Sequence, residues 1–249
     1  MAIWQQINGS MYNALGVILG AVIGLLFRNA LPPRVTQTIQ SAIGLVTLFL
    51  GIRIAWGLSD IEIHGIAGIV LALVAMTLGG GLGEALALDD RLSQFTTAIQ
   101  QRLGQQNDKR FSEGLLTAFL IFCVGPVTIL GSINNGLNGD NQLLIIKTVL
   151  DTITAAALAS SYGIGILVSA VPLLLFQGGL SLAAGSVAQL IPDPNTNPLV
   201  LIATCSGGLI LIGLGLNLLD ISKIRIAALL PTLLIGPLLA WLIPLLIGA

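Results

Sequence analysis

The sequence predicts an all-α fold, a polytopic membrane helix bundle of about eight spans. Two observations carry that reading. Of 249 residues, 55% are hydrophobic and 8% charged, with a mean hydropathy of +0.97, whereas soluble domains carry roughly 25% charged residues. The apolar positions also fall in long unbroken runs, and a helix needs about 20 such residues to cross the hydrocarbon layer. Measured against that length, the runs fall at roughly 10–27, 38–58, 65–87, 114–136, 144–161, 163–190, 199–219 and 225–247. Pro and Gly gather between them, as in Leu31-Pro32-Pro33 and Pro192-Asp193-Pro194-Asn195. Residues 1–249 therefore read as a single integral membrane domain, whose first partner is the lipid bilayer.

No Lys or Arg precedes the first apolar run, so that run is expected to be a retained span rather than a cleaved leader. Within it Gly16, Gly20 and Gly24 recur every four residues and share one face, where a second helix can approach closely. Asn13 returns to the same face, either as a hydrogen-bonding residue of a packing seam or as a site residue. In the second run Arg53 is expected to snorkel toward the headgroups, and Asp60, Glu62 and His64 form a solvated loop. The third run ends in Gly79-Gly80-Gly81-Leu82-Gly83-Glu84, a density of glycine that predicts close backbone approach or a broken helix end.

Residues 89–104 put Leu92, Phe95, Ile99 and Leu103 on one helical face, with Arg91 and Arg102 among the polar positions. This stretch is too polar to span and reads as an interfacial amphipathic helix within a connection over 89–112. Because cytoplasmic loops are enriched in Lys and Arg, this basic connection is placed inside. The loops with Arg28/Arg34 and Lys223/Arg225 then also fall inside. The acidic loops with Asp60/Glu62, Asp140 and Asp193 fall outside, as do both termini.

The segment Phe122–Asp151 combines a Gly125-Pro126 break, the polar run Gly131-Ser132-Ile133-Asn134-Asn135-Gly136, and an apolar helix carrying Lys147 and Asp151. Irregular polar backbone at membrane depth persists only where it is buried in protein or lines a wet cavity. Thr148 and Asp151 share a face with Ala155 and Ala159. A carboxylate at the centre of a span costs about 2.5–3.5 kcal/mol on insertion scales, so Asp151 needs a partner. Lys147 could be that partner; alternatively Lys147 snorkels away and leaves Asp151 to a cation or proton. Pro172 and Gly178 are expected to break the sixth helix beside Gln177. Asn134, Asn135 and Asn217 complete the candidate polar contacts. Shifting the chain by 164 residues lays Asn13 on Gln177, Gly44 on Gly208 and Gly51 on Gly215. The match suggests inverted units over 8–88 and 163–248, an arrangement that recurs in secondary transporters.

Other chemistries lack their motifs. There is one His and no CxxC, HExxH, Walker A loop or GxSxG elbow. No metal site, cofactor or enzymatic activity is therefore expected, and no charged block suggests a nucleic-acid partner. Cys123 and Cys205 are expected to be ordinary buried thiols.

Several blocks resemble one family of bacterial membrane proteins, the YqgA/YdfK family, or domain of unknown function 554. They are Asn13…Gly16…Gly20, Gly79-Gly80-x-x-Gly83-Glu84, and Phe122-Cys123-Val124-Gly125 through Ile133-x-x-Gly136-Leu137-x-Gly139-Asp140. Lys147-x-x-Leu150-Asp151, Ser169-Ala170-x-Pro172 with Gln177-Gly178, and Gly215-Leu216-Asn217-Leu218 followed by Lys223-Ile224-Arg225 continue the match. Ser222 stands where the family usually has a second Lys. The resemblance implies a multi-pass protein of the bacterial inner membrane and implies no activity. The residues themselves point to transport of a small solute or a monovalent cation, coupled to a cation or proton at Asp151. The alternatives are a non-transporting scaffold subunit and an ion channel, the latter requiring a homo-oligomer.

Overall fold

The apolar runs fold as helices because a span must satisfy every backbone polar group internally. In the computed structural model, which describes residues 2–27, 32–102, 109–124, 126–186 and 196–247, the helices are α1 (Ile3–Phe27), α2 (Pro33–Ala55), α3 (Gly68–Ala85), α4 (Leu88–Arg102), α5 (Lys109–Val124), α6 (Pro126–Asn138), α7 (Gln142–Tyr162), α8 (Gly165–Val168), α9 (Ala170–Ser186), α10 (Pro198–Leu218) and α11 (Thr232–Ile247). Seven helical stretches among the described residues are long and apolar enough to cross a bilayer, α8 and α9 together making one of them. The pair α5/α6, bent by 58°, makes an eighth if it is one span. Gly125, Arg28, Leu103 and residues 192–195 lie outside the described residues.

Glycine decides how the helices pair. On α1, a Cβ at Gly16 would strike the Thr148 and Thr152 side chains, one at Gly20 the Thr152 carbonyl, and one at Gly24 the Ala156 carbonyl. Residue numbers rise together along both helices, so α1 runs parallel to α7, backbone against backbone. Helices α2 and α10 pair antiparallel: Gly51 lies on Gly208 and Ile212, Gly208 on Ala55, Gly215 on Leu48, and Gly44 on Leu219. Helix α3 meets the start of α11 through Gly79 at Thr232, and Gly83 abuts Ala228 in the short 3-10 turn Ile226–Leu229 that precedes α11. The glycine-rich end of α3 is thus a contact surface on an unbroken helix.

Two local breaks have identifiable causes. The carbonyl of Phe122 would bond the N–H four residues on, but residue 126 is proline and has none. The Thr128 hydroxyl takes that place, donating to the Phe122 carbonyl at 2.7 Å. The interruption before α9 sits at Ser169, one turn ahead of Pro172, and the Ser169 hydroxyl donates to the Ile166 carbonyl at 2.6 Å. Gly178 breaks nothing, contrary to the sequence expectation: α9 continues through it, and no atom lies within 4 Å of where its Cβ would be. Gly178→Ala is accordingly expected to fold with melting temperature unchanged or raised, the gain limited to about 1 kcal/mol of helix propensity. A scan of the purified variant in detergent measures it.

A short hairpin, β1 (Glu62–Ile63) and β2 (Ile66–Ala67), follows α2. His64 and Gly65 form its two-residue turn, both with positive φ (49° and 81°), which matches the twist of the strands. His64 is exposed there, as a loop position should be. At the other end of the bundle Arg225 joins three acids, Glu84 at 2.8 Å, Asp90 at 3.1 Å and Asp89 at 3.7 Å. Connections expected on the inner side therefore meet. Helix α4 lies on this end with Phe95 exposed, in keeping with an interfacial face.

Candidate functional site

Asp151 is the tenth residue of α7, Asn13 the eleventh of α1, and Gln177 lies midway along α9. Each occupies the middle of its helix, and the packing of α1 between α7 and α9 brings all three together. The Asn13 side-chain amide donates to Asp151 Oδ2 at 2.9 Å and to Gln177 Oε1 at 3.1 Å. A carboxylate accepts only, so the Asn13 nitrogen must face Asp151, and Gln177 must then present its oxygen to that nitrogen. This leaves Asn13 Oδ1 and Gln177 Nε2 buried without a partner among the described residues. One is an acceptor and the other a donor.

Lys147 also reaches Asp151. Its ammonium pairs with Asp151 Oδ2 one turn away on the same helix, and both side chains are buried. Of the two arrangements the sequence left open, Lys147 adopts the pair with Asp151 and does not snorkel away. Its chain faces the end of α5, with Nζ 5.8 Å from the centre of the Phe122 ring, within cation–π range. Pairing inside removes the cost of an isolated buried carboxylate, which is why the lysine turns inward.

Other predicted contacts are placed elsewhere. Asn135 is buried, but its amide binds the backbone of α1: Oδ1 accepts from the Gly9 N–H at 3.2 Å, and Nδ2 donates to the Gln5 carbonyl at 2.9 Å and to Asn8 Oδ1 at 3.1 Å. Gly9 N–H and Gln5 C=O are the pair that bond each other in a regular helical turn, so Asn135 clamps that turn and has no spare donor. Asn134 is buried beside it on α6. The Thr148 hydroxyl donates to the Leu144 carbonyl at 2.7 Å, with its methyl turned to Gly16; it belongs to the α1/α7 seam. Asn217 is remote from Asp151. It holds the loop after α10, accepting from Ile224 N–H at 2.8 Å and Ser222 Oγ at 3.0 Å and donating to the Ile224 carbonyl at 2.7 Å.

Three serines were not among the predicted contacts, although Ser132 belongs to the polar run 131–136 named from the sequence. Ser10, Ser132 and Ser181 are fully buried, and their hydroxyls have no partner among the described residues. Ser10 lies one turn before Asn13 on α1, and Ser181 one turn after Gln177 on the antiparallel α9, while Gly136 of α6 abuts the Ser181 backbone. With Asn13 and Gln177 they leave five unpaired polar atoms in the seam of α1, α6 and α9. Buried polar atoms are normally paired, by protein or by ordered water. Gly178 is buried beside Gln177 with open space at its Cβ position. Helical spacing from Asn13 and Gln177 was the signal available for Ser10 and Ser181.

On its other side the Lys147–Asp151 pair lines a groove of about 420 Å³ between α2 and α7. Ile43, Val46, Thr47 and Leu50 of α2 face Leu150, Ile153, Thr154 and Ala157 of α7 across it. Val46, Leu50, Leu150 and Ile153 are exposed on the flank of the bundle, so the groove opens sideways, toward lipid. Among the described residues no cluster of three metal-ligating side chains occurs, and Cys123 and Cys205 are buried free thiols.

Long apolar helices with a paired charge at mid-depth define a multi-pass integral membrane protein. The chain belongs to the family described as Protein of unknown function (DUF554), whose model matches residues 8–241. It is 31% identical over 236 residues to the Uncharacterized membrane protein YdfK of Bacillus subtilis (strain 168), covering 94% of this chain and 96% of that protein. It is equally 31% identical over 236 residues to the Uncharacterized protein YqgA of Escherichia coli (strain K12), covering 93% and 95%. No solved structure matches.

Proposed function

We propose that this protein is a transporter that carries a small solute across the membrane, coupled to a proton or monovalent cation at Asp151. The observation that carries the reading is the Asn13–Asp151–Gln177 cluster: three helices bring a carboxylate and two amides together at mid-span, with a donor and an acceptor left over. Ionisable groups at that depth are costly and mark solute or ion pathways. A cluster that served only to glue helices would be expected to consume its own hydrogen-bonding capacity, as Asn135 does.

Helix pairing supports a transporter built from inverted units, 8–88 and 163–248. Asn13 and Gln177 are 164 residues apart and bond each other. Under the same shift Leu48 becomes Ile212 and Gly51 becomes Gly215, and the contact of Gly51 with Ile212 is mirrored by that of Leu48 with Gly215. Ala55 against Gly208 is mirrored by Gly44 against Leu219. A two-fold relation between antiparallel units generates such reciprocal contacts, and its axis would pass by the Asn13–Gln177 bond. Transporters with inverted repeats bind their solute near the midplane where the units meet.

The test is transport by purified protein in liposomes loaded with a pH-sensitive dye. Candidate solutes are first chosen by the melting shift they produce in detergent, across Na⁺, K⁺ and pH. Asp151→Asn keeps the shape of the side chain and an oxygen for Lys147. It is expected to elute as the wild type does yet to lose solute-dependent proton or cation movement. Undiminished movement in the folded variant would remove Asp151 from the mechanism.

A further inference from the structure

We propose that the seam of α1, α6 and α9 is a binding site for a small neutral guest that both donates and accepts hydrogen bonds. This deepens the transport reading and rests on it only for passage across the membrane, because binding in the seam can be tested without flux.

Helix register brings the unpaired atoms together. Helix α9 runs antiparallel to α1, with Asn13 bonded to Gln177 and Gln6 lying against Gly185. Between those two contacts Ser10 comes opposite Ser181. Helix α6 turns back on α7, with Gly131 against Leu144, and α7 is parallel to α1, so α6 runs parallel to α9. Gly136 lies on the backbone of Ser181. One turn earlier on both helices, Ser132 comes level with Gln177. Ser10, Asn13, Ser132, Gln177 and Ser181 are all fully buried, and each keeps one side-chain atom without a partner among the described residues.

The charge of the guest follows from what those atoms can do. The bond to the Asp151 carboxylate fixes the Asn13 amide, which in turn fixes that of Gln177. Asn13 Oδ1 is therefore open as an acceptor and Gln177 Nε2 as a donor. The three serine hydroxyls serve either way. A cation would have to face the Gln177 N–H groups, and an anion the Asn13 oxygen. With donor and acceptor capacity both open, the guest that fits is uncharged and carries both. The charged groups, Lys147 and Asp151, pair with each other and line the α2/α7 groove.

The guest is also small. Ser10 and Asn13 stand one helical turn apart, about 5 Å of axial rise. Gly178, buried beside Gln177, has no atom within 4 Å of its Cβ position among the described residues, so even a methyl group there would stand clear of its neighbours. Toward the opposite end the same helices close on apolar side chains, Val17 and Ala21 of α1, Ala155 and Leu158 of α7 and Leu173 of α9. The seam is thus polar from mid-depth toward the start of α1 and apolar beyond it. Water has the required chemistry, and so does a short amide or alcohol. Buried water needs about two to four polar partners, and the five atoms can supply them to either guest.

Melting of the full-length protein in detergent tests the guest by the sign of the change. A buried hydroxyl with no partner costs stability, and alanine is the better helix former. In a dry seam Ser10→Ala, Ser132→Ala and Ser181→Ala would therefore melt at or above the wild-type temperature. With a guest in the seam each change removes one of its partners, and all three are expected to melt lower. Ser206→Ala on α10, fully buried and likewise unpaired but outside the seam, is the control for lost packing. Acetamide, acetate and isopropylammonium, probes of like size and shape, then read the charge at matched concentration and ionic strength. A saturable rise with acetamide, weakened in Ser181→Ala, would assign the guest as a small amide- or hydroxyl-bearing solute. Lower-melting serine variants with acetamide silent would assign it as water. The two charged probes are expected to leave the melting temperature within error of the ligand-free value. Seam variants that melt no lower than Ser206→Ala would overturn the inference, and an equal or larger shift with acetate or isopropylammonium would overturn the neutrality of the guest. Lower-melting seam variants without flux in liposomes would leave this inference standing and remove the transport reading. Asp151-dependent flux, with the three seam variants as stable as the control, would do the reverse.

Discussion

Asp151→Ala is expected to destabilise the protein by about 3–5 kcal/mol, the range for removing one member of a buried ion pair. The loss comes from the residue left behind. Lys147 is buried on α7 beneath the Phe122 ring, and without Asp151 its ammonium has no counter-charge among the described residues that line the groove. Lys147→Ala is expected to cost a similar amount, since it strands the carboxylate. The double variant Lys147→Gln/Asp151→Asn should lie much nearer the wild type, because neutral hydrogen-bonding groups avoid the desolvation cost of both charges. Unfolding curves in detergent for the single and double variants, treated as a mutant cycle, measure this. Single losses that simply add in the double variant would mean that the two charges act independently. Stability and transport should part company here: the double variant is expected to fold and to be inactive.

Gly20→Leu is expected to be the most damaging single change on α1, at more than about 3 kcal/mol, above the usual overpacking range. A Cβ at Gly20 would fall on the Thr152 carbonyl and lie 3.1 Å from the Ala155 methyl. Backbone cannot swing aside as a side chain can, so α1 and α7 must separate. Asn13 sits two turns earlier on the same seam, and separation draws its amide away from Asp151. The variant should therefore lose both assembly and any response to ligand. Size-exclusion profile and melting temperature report the first, and the ligand-dependent melting shift the second. Gly178→Ala is the matched control, since that position meets no atom within 4 Å. A Gly20→Leu protein as stable as the control would contradict close backbone packing at this seam.

The spans were legible because hydropathy is a local property that accumulates over a helix length. The face shared by Gly16, Gly20 and Gly24 was legible for the same kind of reason: helical periodicity assigns residues to one side without knowledge of the neighbour. The Gly125-Pro126 break could be read from covalent chemistry, as a missing N–H. Gly178 misled because glycine permits a bend without requiring one, and α9 has no lost hydrogen bond there to force it. The hairpin at Glu62–Ala67 was missed because two-residue strands are too short to show alternation.

Which polar residues form the site was decided by tertiary structure alone. Asn13, Asn135 and Asn217 are chemically the same side chain, each near an apolar run. One faces a carboxylate across a helix seam, one clamps a turn of α1, and one holds a surface loop. Sequence fixes the angle of each around its own helix; which neighbour lies at that angle depends on the packing of α1 between α7 and α9. Lys147 shows the same division. Its spacing of four from Asp151 permitted a pair, but only the enclosure of α7 by α1, α2 and α5 made inward pairing cheaper than reaching for the headgroups. From its own residues the chain determined that it lives in a membrane and carries a charge at mid-depth. The fold determined that this charge is paired, that amides surround it on one side, and that an apolar groove reaches it on the other.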